Sequence, residues 1–261
     1  YNAHLALVWQ TLLPSGITKK RRQSSAEIPL HQRNRTKKVF TTDQRHAIDT
    51  IDDMDSGTAL LHGVTGSGKT LVYIETARRA VEKGLSVIVL VPEIALTSQL
   101  VAEFSQHFPN IIITHSHQTE AERHKAWQRA LTADTPQVVI GPRSALFLPL
   151  ANLGLIVIDE CHEPSFKQEQ SPRYSALRTA SVLARYAHAK VILGSATPSV
   201  ADYFLAKHSG RPIISLPTPA RKNTLPPTIH LIDMTKRTNF TRHPFLSDSL
   251  LDALERTFST G

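Results

Sequence analysis

The sequence predicts an α/β fold, a doubly wound and mostly parallel sheet with helices on both faces, and three observations predict it. From Val39 onward, short runs rich in Val, Ile and Leu alternate with longer amphipathic stretches, the pattern of successive βαβ units. The short runs, such as Leu155-Ile156-Val157-Ile158, are continuously apolar rather than alternating, as befits strands buried on both faces. With 41% hydrophobic residues in 261, the chain can bury one core of ordinary domain size and still have residues left at its ends.

In order, Tyr1 to Leu13 reads as the tail of a helix or strand from a preceding domain. Pro14 to Lys38 has no hydrophobic period and is rich in Lys, Arg, Ser, Gln and Pro, so it reads as a basic linker. Strands are expected at Thr58 to His62, Ser86 to Val91, Ile111 to Thr114, Val138 to Ile140, Leu155 to Ile158 and Val191 to Leu193. Helical stretches fall between them at Thr70 to Lys83, Leu96 to His107, Glu120 to Thr132 and Leu177 to Tyr186. The lobe so defined spans 39–210. Pro212, Pro217, Pro219, Pro226 and Pro227 then punctuate a looser region, 211–261, with a strand expected at Ile229 to Met234 and a helix at Leu246 to Phe258. That region reads as a bridge and the start of a second lobe.

Thirty Lys and Arg against 22 Asp and Glu give a formal charge of +8, which suits a polyanionic partner such as nucleic acid. The single cysteine, Cys161, excludes an internal disulfide framework and a cysteine-built zinc site, and it fits a reducing, cytoplasmic setting. The apolar runs are of strand length, so no membrane span is expected. Opening at Tyr1 without a basic leader, the chain reads as a piece of something longer that lacks a signal peptide.

Two motifs carry chemistry. Gly63-Val64-Thr65-Gly66-Ser67-Gly68-Lys69-Thr70 fits G-x-x-x-x-G-K-[ST] and sits between an apolar run and an amphipathic one, as a phosphate-binding loop must. Its glycines let backbone N–H groups turn toward phosphate oxygens at a helix start. Lys69 is placed to neutralise β/γ phosphates, and Thr70 to offer a hydroxyl to Mg²⁺. Downstream, Leu155 to Ile158 run into Asp159-Glu160-Cys161-His162, so two carboxylates emerge at the end of a buried strand. Asp159 is the expected Mg²⁺ partner and Glu160 the group that orients and deprotonates an attacking water. His162 is expected to link this centre to the Ser195-Ala196-Thr197 element, the alternative being an ordinary buried or capping histidine.

The order of these elements resembles the first, RecA-like P-loop lobe of superfamily-two DExH helicases, and more narrowly the primosomal replication-restart helicases of the PriA type. Further shared wording is Val72-Tyr73, Leu90 to Thr97, Arg143 to Phe147, Phe166-Lys167-Gln168, Arg173-Tyr174 and Ser195 to Pro198. The resemblance covers roughly Phe40 to Phe258. It implies that ATP and Mg²⁺ are the cofactors, that Gln44 reads the adenine edge, and that Thr97, Arg143 and Ser144 grip a DNA backbone. It also implies that Phe166, Lys167, Arg173 and Tyr174 form an aromatic loop coupling single-strand binding to hydrolysis. An exposed helix residue is the alternative for Gln44, and a structural salt bridge for Arg143. The chain departs from the family pattern at Pro172, where a Trp is common, and at Cys161, where a second Glu is.

By the same resemblance, residues 1–38 close a preceding DNA-binding region. The partners would be single-stranded and forked DNA, primosome proteins and single-strand-binding protein, and the protein a monomer. The arginine finger of a second lobe and a zinc site would lie outside this chain, leaving it nearly inactive alone. Competing readings are another DExH translocase or RNA helicase, a P-loop kinase or small-molecule ATPase, and a non-catalytic scaffold, against which the intact Lys69, Asp159 and Glu160 argue.

Overall fold

The computed structural model describes residues 4–13, 39–92, 98–220 and 228–260. The basic stretch 14–38, Thr97, Pro226 and Pro227 lie outside the described residues. The chain divides into two compact units, Tyr1–Arg221 and Lys222–Gly261.

The first unit opens with α1 (Leu5–Leu12), α2 (Thr42–Asp52), β1 (Gly57–Gly63) and α3 (Lys69–Glu82). There follow β2 (Ser86–Leu90), α4 (Ser98–Ser105), β3 (Ile111–Ile113), α5 (Glu120–Leu131), β4 (Val138–Gly141) and β5 (Leu153–Ile158). A small hairpin, β6 (Lys167–Gln168) with β7 (Tyr174–Ser175), precedes α6 (Ala176–Ala187), β8 (Lys190–Ser195), α7 (Val200–His208) and β9 (Ile213–Leu216).

Seven strands form one sheet in the order β3-β4-β2-β5-β8-β1-β9, and every pairing in it is parallel. A parallel sheet buries both faces, and two apolar layers do so here. One face packs Ile48 and Ile51 of α2, Val72 and Tyr73 of α3 and Phe104 of α4 against the sheet. The other packs Ala130, Ala180, Ala184 and Ala206 of α5, α6 and α7. Small alanines let those helices sit close to the strands. The expected doubly wound α/β lobe is therefore present, and the parallel order gathers the loops after β1, β2, β4, β5, β8 and β9 at one edge.

Local chemistry decides where the helices begin. Thr41 with Gln44 and Thr119 with Glu122 form capping boxes for α2 and α5, and Ser175 and Ser199 cap α6 and α7. Helix α3 starts differently: its N-cap is Gly68, at φ 81°, and it has no side-chain cap.

Two expectations are corrected. The lobe does not stop at 210, because β9 pairs in parallel with Leu60 to Gly63 of β1, with Ile214 and Leu216 buried. The stretch Ile229 to Met234 is not a strand. Ile229 and Leu231 are 80% and 95% exposed, and among the described residues no neighbouring strand pairs with them.

The second unit, described by itself, carries α8 (Asp248–Thr260), close to the expected helix. Asp248 accepts from the backbone N–H groups of Thr241 and Arg242, and Arg242 pairs with Asp252 and Glu255. Among the described residues of the chain no helix is long and apolar enough to cross a membrane.

Candidate active site

The loop between β1 and α3 is a cradle built for close approach. Gly66 and Gly68 have φ 76° and 81°, a region that side-chain-bearing residues rarely adopt. A Cβ on Gly68 would meet the Gln44 amide at 2.4 Å, and one on Gly63 would meet Ser67 Oγ at 2.7 Å. Thr65 and Gly66 lie exposed on the crest of the loop, whereas Ser67 and Lys69 are buried. Ser67 Oγ is buried without a hydrogen-bond partner. Lys69 Nζ donates to Gly63 O at 2.9 Å and stands 3.8 Å from Glu160 Oε1. An uncapped helix start, an orphan hydroxyl and an ammonium held mainly by a carbonyl form a donor set suited to a triphosphate. The residues present thus fit ATP, with Thr70 half-buried in the first turn of α3 beside Lys69.

Gln44 is not the exposed helix residue of the alternative reading. It is 1% exposed, its Nε2 donates to Ser67 O at 2.9 Å, and its Oε1 accepts from Thr41 N–H at 3.0 Å. The amide supports the phosphate loop from beneath. The loop is also held from its other side: Val64 N–H donates to Leu216 O at 3.1 Å and Ala220 N–H to Gly66 O at 2.9 Å. That contact is not legible in the sequence, because nothing in Leu216 to Ala220 is chemically distinctive.

The acid pair leaves β5 where expected. Asp159 N–H still bonds to Leu90 O of β2 at 2.9 Å, and Glu160 then turns into the left-handed region at φ 47°. That turn directs the next N–H, of Cys161, onto Gly194 O at 2.9 Å. Asp159 accepts a 2.9 Å hydrogen bond from the Tyr73 hydroxyl. Burial pushes the Asp159 carboxyl above its ordinary range; the Tyr73 bond opposes this, and the Glu160 charge adds to it. Cys161 is buried, and desolvation pushes its thiol up to about 12, so it is an inert filler between Glu160 and His162.

His162 makes the expected link: its Nδ1 lies 2.8 Å from Ser195 Oγ at the end of β8. Ser195 is fully buried and its Oγ also accepts from Thr197 N–H at 2.9 Å. The same Nδ1 stands 3.5 Å from Glu160 Oε2, and Nε2 lies on the side of Glu163, 4.0 Å away. Ala196 is half-buried and Thr197 exposed at the mouth of the cleft.

Four of the expected DNA-contacting residues line one groove. A groove of about 390 Å³ is lined by Arg143, Ser144, Phe166 and Tyr174, and also by Arg123 of α5 and Gln10 of α1. Arg143 donates to Ser165 O, and it opposes the rise that burial imposes on the Tyr174 hydroxyl, whose ring packs edge-on against Phe147 at 5.2 Å. Lys167 and Arg173 are exposed, Arg173 Nε donating to Glu169 O at 3.0 Å. Phe166 corrects the expectation of a base-stacking ring: it is 3% exposed and belongs to the core packed by α6. Among the described residues no group of three or more His, Cys, Asp or Glu side chains is placed to hold a metal ion; Thr70 and Asp159 would hold Mg²⁺ beside the phosphates of a bound triphosphate.

Comparison with known proteins agrees with this geometry. The chain is 34% identical over 260 residues to the replication restart protein PriA of Bacillus subtilis (strain 168), covering 97% of this chain and 32% of that protein. It is 39% identical over 230 residues to PriA of Chlamydia muridarum, covering 85% of this chain and 30% of that one. The chain thus spans about a third of the length of these curated relatives. A solved structure of RecG bound to a three-way DNA junction shares the fold, with a TM-score of 0.52 at 23% identity over 72% of this chain and 25% of that one. The family model of the DEAD/DEAH box helicases matches residues 41–204, from the cap of α2 to the middle of α7. The chain belongs to the DEAD/DEAH box helicase family.

Proposed function

We propose that this chain is the ATP-binding lobe of an ATP-dependent DNA helicase that recognises stalled or branched replication forks, unwinds DNA 3′ to 5′ and promotes primosome assembly for replication restart. The observation that carries the motor reading is the 2.8 Å bond between His162 and Ser195, which joins the acid pair to the Ser-Ala-Thr element at the end of β8. The similarity to PriA proteins over most of the chain favours DNA and replication restart within that reading.

In this mechanism the phosphate loop binds the triphosphate through its open N–H groups, and Lys69 leaves Gly63 O to meet the β/γ oxygens. Thr70 and Asp159 would hold Mg²⁺, which supplies charge neutralisation between those phosphates. Glu160 orients a water and takes its proton, with Lys69 Nζ 3.8 Å from its carboxylate. His162 reports the state of Glu160, 3.5 Å away, to Ser195. Arg143, Ser144, Lys167, Arg173 and Tyr174, with Thr97, track a strand by its phosphates and by one ring face. Gln44 touches adenine only if nucleotide draws it from its loop contacts. The whole protein is a cytoplasmic monomer that works with primosome and single-strand-binding proteins and carries its zinc site and arginine finger outside this chain. An arginine finger is worth about 10³ to 10⁵ in rate, so this lobe by itself turns over poorly.

The test is ATP hydrolysis by the full-length protein with single-stranded DNA, single-stranded RNA and a forked duplex, with Lys69→Ala and Glu160→Gln as controls. Strong stimulation by forked DNA, lost in both variants, is expected. Stimulation by RNA alone, or turnover indifferent to nucleic acid, sinks the reading in favour of an RNA motor or a generic P-loop ATPase.

A further inference from the structure

We propose that Tyr73 is a positioning residue for hydrolysis: its hydroxyl anchors the Asp159 carboxylate to the helix that begins at the phosphate loop, so that metal and phosphate are held in one frame. This rests on the ATPase reading above. Tyr73 lies one turn after Lys69 on α3, hence on the same helix face. The two side chains divide the acid pair between them, Lys69 standing 3.8 Å from Glu160 and Tyr73 donating to Asp159 at 2.9 Å.

Packing alone does not account for a tyrosine here. The residue is 0% exposed, and a phenylalanine would fill the same core without a hydroxyl to satisfy. That hydroxyl is instead aimed at the carboxylate expected to handle Mg²⁺. It is also confined: a Cβ at Gly194 would lie 1.7 Å from the phenol oxygen, so the glycine before Ser195 is the slot that admits it. Gly194 O in turn receives Cys161 N–H, so the phosphate-loop helix, the acid pair and the Ser-Ala-Thr strand all meet at this one phenol. Hydrogen-bond partners of metal-binding carboxylates fix their orientation, and losing one weakens metal affinity or activity by about 10- to 100-fold.

The experiment uses the full-length protein and a fluorescent ADP analogue, titrated in EDTA and across a Mg²⁺ series. Tyr73→Phe is expected to bind nucleotide as the wild type does in EDTA, while its half-saturating Mg²⁺ rises on the order of tenfold. At saturating Mg²⁺ its kcat should fall with KM for ATP unchanged. In an Asp159→Asn background the same substitution should add nothing, since both act through one carboxylate. Gly194→Ala, which displaces the phenol rather than removing it, is the second variant and should show the same Mg²⁺ signature. An unchanged Mg²⁺ dependence with a lowered Tm would overturn the proposal and leave Tyr73 a packing residue. Equal losses in EDTA and in Mg²⁺ would overturn it too, placing the defect in the phosphate loop. A wild-type protein that binds no nucleotide in either condition overturns the ATPase reading together with this one.

Discussion

At the scale of single residues, the hairpin loop shows how a motif match and a side chain's environment can part company. Phe166 sits in wording shared with DNA motors, yet its ring belongs to the buried core cluster that also holds Leu146, Ala176 and Ala180. Truncating a buried phenylalanine costs about 3–5 kcal/mol, so Phe166→Ala should lower stability by that order, read by urea unfolding. Phe166→Leu keeps most of the apolar volume and should cost under about 1.5 kcal/mol. It should also preserve DNA-stimulated hydrolysis, because the ring faces protein. If Phe166→Leu folds well but loses stimulation by single-stranded DNA, the ring does contact bases. The lesson extends to Gln44. The sequence shows an amide upstream of a phosphate loop, but only three-dimensional packing shows that both ends of it serve Ser67 and Thr41.

At the scale of elements, the edge of the sheet opposite the nucleotide cleft is held by charge. Asp52, at the end of α2, accepts from Lys83 Nζ at 2.5 Å and Arg79 Nη1 at 3.3 Å, and Lys190 of β8 donates to its backbone carbonyl at 2.8 Å. The Lys83 bond, against the opposing effect of burial, holds the Asp52 carboxyl below its ordinary 3.8, with Lys190 and Arg79 assisting. A depressed folded-state value means that the stabilisation is present above 3.8 and is lost as pH falls through the folded value. Asp52→Asn should therefore melt at a lower temperature than the wild type at pH 7, and the gap should close below about pH 3.8. A gap that persists in acid would assign the effect to packing around Ile51 rather than to charge. None of this cluster was legible in the sequence, because it joins residues 52, 79, 83 and 190. The strands were legible: β2, β5 and β8 are continuous Val, Ile and Leu runs, and a buried parallel sheet needs nothing else. The candidate cleft was legible for the same reason, since its loops follow those strands and carry local motifs. Strand β9 was hidden because Ile213 to Leu216 is short and flanked by Pro212 and Pro217, which read as punctuation. The converse error at Ile229 to Met234 has the same root. An apolar stretch marks a candidate strand, but only a partner makes one.

For the whole molecule, the position of β9 decides where the nucleotide-binding unit ends. Ile214 and Leu216 are 4% and 1% exposed, packed in the layer that also holds Ala47, Ile48 and Leu61. Burying two such side chains is worth about 1.5–3 kcal/mol each, a large part of the 5–15 kcal/mol that typically separates folded from unfolded domains. The same strand supplies the carbonyl that holds Val64, and the segment after it reaches Gly66, so fold and phosphate loop depend on one edge. A lobe comprising 39–221 should fold and bind a fluorescent ADP analogue, whereas 39–210 should melt at a clearly lower temperature. Even below that temperature, 39–210 should bind the analogue more weakly, because Val64 N–H and Gly66 O lose their partners at the rim of the cradle. Circular-dichroism melting and a nucleotide titration on both chains separate the two effects. Equal affinity with unequal melting would confine β9 to a structural role, and equal melting would mean that the unpaired edge of β1 finds other cover.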